Sequence, residues 1–146
     1  MTRTIEEHKI TVRRFYEELW NKWDYAIIGD ILTQDVEFHG SLGAQQNGHQ
    51  GFLDYAEMVR AAFPDFTNSV EELIAEGDKV AACMTYRGTQ IGRILDIEPT
   101  GRRIRYIGTA IFVFRDGLIS KAWVLGDRLE LLQQLSDRLP DDGVEL

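Results

Sequence analysis

The sequence predicts an α+β domain in which three helices pack on one face of a curved antiparallel sheet. Three observations carry this reading. Apolar residues up to Phe63 recur at spacings of three and four, the period switches to two from Asn68 onward, and Asp116-Gly117 between two apolar runs marks a tight hairpin. With 146 residues, 44% of them apolar and 10% aromatic, the chain suits one domain with a core of ordinary size.

Thr4 followed by Glu7 reads as a capping box, and Val12, Phe15, Tyr16, Leu19, Trp20 and Trp23 then line one face of a first amphipathic helix. Residues 25–32 read as a short second helix. Val36-Glu37-Phe38-His39 alternates like a strand and breaks at Gly40-Ser41-Leu42-Gly43, and residues 44–51 form a polar loop. Phe52, Tyr55, Ala56, Val59 and Phe63 mark a third helix that Pro64 stops. Strands are expected over about 69–75, 79–88, 103–115 and 118–125, with turns at Glu76-Gly77-Asp78, Pro99-Thr100-Gly101 and Asp116-Gly117. Residues 89–98 fit no single element. The domain is expected to span residues 1–135, followed by a loose acidic tail at 136–146.

Asp116-Gly117 suits a two-residue turn with positive φ at both positions, and such a turn fixes a register. Counting outward without a bulge places Phe112 opposite Lys121, Ala110 opposite Trp123, Gly108 opposite Leu125 and Tyr106 opposite Asp127. One face would then carry Tyr106, Gly108, Ala110 and Phe112 beside Lys121, Trp123, Leu125 and Asp127. Small Gly108 and Ala110 beside a large Trp123 leave room for a cavity, or equally for a helix packed close against them.

Asp127 stands where the last strand meets a helix beginning Arg128-Leu129-Glu130. With Glu130 it makes a helix N-terminal signature, so the carboxylate is either a cap or a proton-transfer group at the edge of the cavity. A helix N-terminus stabilises the anion, which suits a base better than a resting acid. His39 ends a strand before a Gly-rich turn and is a second candidate, against the plain reading of a structural or surface histidine.

Other chemistry finds little foothold. Sixteen Lys plus Arg against twenty-four Asp plus Glu give a net charge of -8, which disfavours nucleic acid and anionic membranes as partners. A small neutral or weakly polar molecule suits the chain better. The single Cys83 forms no internal disulfide, and neither a signal peptide nor a membrane span is apparent, so a cytoplasmic protein is expected. No histidine pair has metal-ligand spacing, and G-x-G-x-x-G, a P-loop and a G-x-S-x-G elbow do not occur, so no metal and no cofactor is expected.

Six segments in order, Ala62-Phe63-Pro64-Asp65-Phe66, Ala75-Glu76-Gly77-Asp78-Lys79-Val80-Ala81, Tyr86-Arg87-Gly88-Thr89, Pro99-Thr100-Gly101-Arg102, Asp116-Gly117-Leu118-Ile119 and Leu131-Leu132-Gln133-Gln134-Leu135, resemble the SnoaL-like polyketide cyclase family. That family belongs to the nuclear transport factor two-like superfamily of cystatin-like folds. The resemblance implies a conical α+β fold whose curved antiparallel sheet and three N-terminal helices enclose one pocket. It also implies a homodimer through the outer sheet face and cofactor-free ring closure of aromatic polyketide methyl esters by intramolecular aldol condensation.

In that reading a pocket aspartate moves the proton, and the matching position is Asp127. Trp123, Tyr106 and Phe112 would stack on a planar substrate, and His39 or Gln90 would donate to the developing enolate. The chain departs from the pattern at Ala122 and Gln90, where many relatives have histidines, and at Gly40-Ser41, where many have Asp-Pro. The last difference argues against steroid-isomerase chemistry. A non-catalytic binding module and a cofactor-free oxygenase are the competing readings.

Overall fold

The computed structural model describes residues 2–136. The expectation of a loose tail therefore falls, Ser136 apart, outside the described residues. Helix α1 (Thr2–Arg14) runs into a π-helical turn (Phe15–Trp20), followed by a 3-10 turn (Tyr25–Ile27) and the short α2 (Ile28–Ile31). Then come β1 (Leu32–His39), β2 (Gln46–Asn47), α3 (Gly48–Ala62), β3 (Thr67–Glu76), β4 (Lys79–Thr89), β5 (Arg103–Arg115), β6 (Leu118–Gly126) and α4 (Arg128–Leu135). The fold is α+β, with three N-terminal helices against a curved, unclosed six-stranded sheet of order β2-β1-β6-β5-β4-β3.

Two local expectations are corrected. Helix α1 begins at Thr2, so Thr4 lies inside it and does not open a capping box. The first helical pattern is also not α-helical throughout. From Phe15 the turns widen, as the bond from Asn21 N to Tyr16 O (2.9 Å) records. The wide turn carries Phe15, Tyr16, Leu19 and Trp20 all to the buried face. Asn21 then fixes this end to the sheet, its amide donating to Asn68 O (2.9 Å) and its carbonyl accepting from Asn68 N (2.8 Å).

The sheet is mixed rather than purely antiparallel, because β1 runs parallel to β6, with Phe38 beside Ala122 and His39 beside Trp123. Such a pairing needs a long crossover, supplied here by β2, α3 and the three strands between. Helix α3 buries Phe52, Tyr55, Ala56, Val59 and Ala62. After Pro64, Asp65 accepts from both Thr89 N (2.7 Å) and Thr89 Oγ1 (2.8 Å), which stitches the end of α3 to β4.

The hairpin turn at Asp116-Gly117 forms with positive φ at both residues, 53° and 83°. Arg115 faces Leu118 and Phe114 faces Ile119, as counted, but the register then shifts. Ser120 is the extra residue of a β-bulge, and its hydroxyl donates to Val113 O (3.1 Å). Beyond it Phe112 faces Ala122, Ala110 faces Val124 and Gly108 faces Gly126. A one-residue slip exchanges the two faces of a strand. Ala122 and Val124 therefore point into the core, while Trp123 and Leu125 point out, 48% and 66% exposed.

Candidate functional site

Between the sheet, the π-helical turn and α3 lies an aromatic chamber. Tyr86, Tyr106 and Val124 form its floor on the sheet, Phe15, Tyr16 and Trp20 one wall, and Tyr55 and Val59 another. About 330 Å³ is unfilled by atoms, yet a water-sized sphere can be centred in only about 20 Å³ of it. A ring compound thus enters only as side chains part.

The lip is the turn after β1. Leu42 N donates to the Tyr55 hydroxyl (3.0 Å), and Ser41 Oγ lies 3.3 Å from the Tyr106 hydroxyl. Gly40 lets this turn pass, because a Cβ there would come within 2.2 Å of the Tyr55 ring. Gly126 serves the same purpose on the opposite side, where a Cβ would meet Ser41 at 2.8 Å and Tyr106 at 3.0 Å.

Four tyrosines give this chamber its polarity. Burial pushes the hydroxyls of Tyr16, Tyr55 and Tyr86 well above the ordinary tyrosine range. It raises Tyr106 to about 12, against the opposing pull of its contact with Ser41 and of the Arg128 charge. All four are therefore neutral hydroxyls at physiological pH. The lining contains no carboxylate and no imidazole, and the inward positions of β6 are Ile119, Ala122 and Val124.

The residues singled out from sequence are distributed differently. Tyr106 is in the chamber, 1% exposed. Phe112 is fully buried behind it, edge-on to Phe15 and Tyr16, and belongs to the core. Trp123 is on the outer face with His39, ring centroids 6.4 Å apart, beside a groove with about 730 Å³ unfilled by atoms that also touches Glu37 and Lys121. The bulge at Ser120 is the reason for Trp123, and parallel pairing of His39 with Trp123 puts both on that face.

Gln90 is buried but fully committed. Its amide donates to Gly92 O (3.0 Å) and Ile97 O (3.1 Å), and its oxygen accepts from Thr100 N (3.0 Å) and Oγ1 (2.7 Å). That uses every position an amide side chain has, so Gln90 organises the loop from 90 to 101.

Asp127 does not face Tyr106. The bulge moves it past the end of β6, where its N–H donates to Ile107 O (2.9 Å), and its exposed carboxylate accepts from Glu130 N (3.1 Å) as the cap of α4. It still adjoins the rim, between Gly126, which packs on Ser41 and Tyr106, and Arg128, whose charge reaches Tyr55 and Tyr106.

The count missed Tyr16, Tyr55 and Tyr86 as site residues. Tyr16 and Tyr55 read as core-face residues of helices, and nothing in period alone separates a core tyrosine from a pocket one. Tyr86 was hidden differently. Its ring occupies the room above Gly108, where a Cβ would come within 2.8 Å of it, so the small residue makes space for a tyrosine rather than for a ligand. A signal for the bulge was nevertheless present: the plain count sets charged Lys121 inward beside Phe112, and a slip of one residue relieves that conflict.

The model of the SnoaL-like polyketide cyclase family matches residues 10–135. Among solved structures, a candidate SnoaL-like polyketide cyclase from Jannaschia sp. CCS1 superposes with a TM-score of 0.83 at 20% identity, over 90% of this chain and 93% of its own, a likeness of fold. AclR, a candidate hydroxylase from Streptomyces galilaeus, gives 0.78 at 26% identity over 93% and 99%. IdmH, a candidate polyketide cyclase from Streptomyces antibioticus, gives 0.76 at 26% identity over 88% and 97%. No curated protein matches.

Proposed function

Because the chain belongs to the SnoaL-like polyketide cyclase family, we propose that it is a cofactor-independent cyclase or isomerase acting by proton transfer next to a carbonyl. Its substrate is a mainly apolar small molecule of polyketide type. The observation that carries this reading is the aromatic chamber with neutral tyrosine hydroxyls, which suits a compound that is apolar in bulk and bears carbonyl oxygens.

In the aldol form, the Asp127 carboxylate takes a proton from a carbon next to a carbonyl. The resulting enolate carbon attacks a second carbonyl carbon of the same molecule, forming the C–C bond, and the alkoxide so produced recovers a proton from Asp127. The chamber walls hold the chain folded for that attack. Asp127 caps α4 through Oδ1, which accepts from Glu130 N, and its second carboxylate oxygen is the one that would take the proton.

A second reading, a binding module without catalysis, is supported by the same bond. A carboxylate that caps a helix needs no further role, and the chamber itself holds no acid or base stronger than a tyrosine. Native mass spectrometry of the purified protein tests what both readings share. An apolar carbonyl compound is expected to copurify or to bind on addition of an extract, and a chamber that admits none would exclude both.

The chain is further proposed to form a homodimer through the outer sheet face. Ile107, Trp123 and Leu125 expose apolar side chains there, each about half or more accessible. Sedimentation velocity at micromolar concentration is expected to show a dimer that Trp123→Glu dissociates, and a wild-type monomer would exclude it. No described helix is long and apolar enough to cross a membrane.

A further inference from the structure

Most polar atoms around the chamber have an evident partner. The Tyr55 hydroxyl accepts from Leu42 N, that of Tyr106 meets Ser41 at the rim, and the Asn68 side chain donates to Asn21. Tyr16 and Tyr86 differ. Their hydroxyls are buried, in residues only 2% and 3% exposed, and neither has a hydrogen-bond partner in the protein. The two hydroxyls lie within reach of each other without the geometry of a full hydrogen bond between them, so each can turn its hydrogen toward a third oxygen.

A buried hydroxyl without a partner is destabilising, and two converging on one chamber call for an explanation. Their positions are well held. Tyr16 lies edge-on to Phe112 (5.8 Å) and Phe15 (5.0 Å), and Tyr86 is stacked on Phe66 (5.9 Å) and packed on Tyr106 (5.0 Å). One comes from the π-helical turn and the other from β4, so the two approach from different elements, each with one hydrogen to donate. A carbonyl oxygen has two lone pairs and accepts both. A carboxylate fits less well, because no cationic side chain lines the chamber to offset its desolvation.

We propose that the Tyr16 and Tyr86 hydroxyls form a two-donor seat for the carbonyl oxygen of a bound ketone, deep in the chamber and apart from Asp127 at the rim. The seat rests on the reading that this chamber binds a carbonyl compound, and it names the feature that is recognised. Two neutral donors also strengthen their bonds as an oxygen gains charge on enolisation, so the seat selects the ketone that reacts and not merely an apolar ring.

The test uses a matched pair of probes, 2-acetylnaphthalene and 2-isopropenylnaphthalene, which share shape and differ in whether an oxygen acceptor is present. Affinity is read from quenching of tryptophan fluorescence, and the seat itself from the infrared carbonyl stretch of the bound ketone. The wild type is expected to bind the ketone about tenfold more tightly than the alkene, with the stretch moved to lower wavenumber.

In the Tyr16→Phe/Tyr86→Phe double variant the preference should vanish while alkene affinity stays unchanged. Each single Phe variant carries the same test if the double does not fold, and thermal melting checks that packing is retained. Equal binding of both probes by the wild type, or a preference that survives the Phe substitutions, overturns the seat and leaves the chamber reading intact. Equal binding with a lowered melting temperature in the Phe variants would mean that the hydroxyls hold a structural water only. Binding of neither probe overturns the chamber reading and the seat with it.

Discussion

Asp127→Asn is expected to lower ring-closing turnover by about 10²–10⁴-fold while leaving the melting temperature unchanged. The two halves of this expectation come from different properties of one side chain. As a cap, Asp127 contributes an oxygen that accepts from Glu130 N at 3.1 Å, and Asn offers an equivalent oxygen and caps about as well. As a base it contributes a negative charge and a lone pair able to take a proton, which an amide does not supply.

Ala at 127 would be a poorer choice. It would remove the cap as well, at a cost of about 1 kcal/mol, and would confound loss of α4 with loss of chemistry. Turnover is to be measured on a compound found to bind the chamber, beside circular dichroism and a thermal melt. Full turnover with an intact helix would remove Asp127 from the mechanism and favour the binding-module reading. The exposed carboxylate makes this a demanding test, since a base acting from the rim requires the substrate carbon to lie near Gly126.

Much of the fold was legible because it rests on period and on local turn chemistry. The switch from spacings of three and four to two, the stop at Pro64 and the Asp116-Gly117 turn each act through a few neighbouring residues, and each element they mark is present. What the sequence did not disclose depends on one residue or on distant ones. Ser120 is an ordinary strand residue, yet as a bulge it reverses the faces of everything after it and takes Trp123 and Asp127 away from Tyr106.

The parallel pairing of β1 with β6 joins residues about eighty positions apart, which local pattern does not encode. The site was accordingly half visible. Tyr106 was found because it shares a face of β5 with Gly108, Ala110 and Phe112, although the partner the bulge-free count gave it, Asp127, caps α4 instead. Tyr16 and Tyr86 were not, since only the assembled fold shows that their hydroxyls lack partners.

Phe112→Ala should have the largest effect on stability, a loss of about 3–5 kcal/mol, against a total of about 5–15 kcal/mol for a domain of this kind. Phe112 is fully buried, faces Ala122 and Val80 across its two neighbouring strands, and meets the rings of Phe15 at 5.3 Å and Tyr16 at 5.8 Å. Truncation would leave a void under the π-helical turn, where the small neighbours Ala110 and Ala122 have little side chain with which to fill it. Urea unfolding is the measure, with a lowered midpoint at an unchanged slope.

The result also separates two roles for this residue. A ring stacking directly on a substrate would, when removed, weaken binding and leave the midpoint near its wild-type value. A ring that supports Tyr16 from behind acts the other way, lowering the midpoint first and disturbing binding only through the hydroxyl it positions. Phe112→Leu refills most of the void and should restore much of the stability, and with it the ketone preference. A variant that recovers stability without recovering that preference would show that the edge-on geometry of the aromatic ring, and not its volume alone, holds the Tyr16 hydroxyl in place.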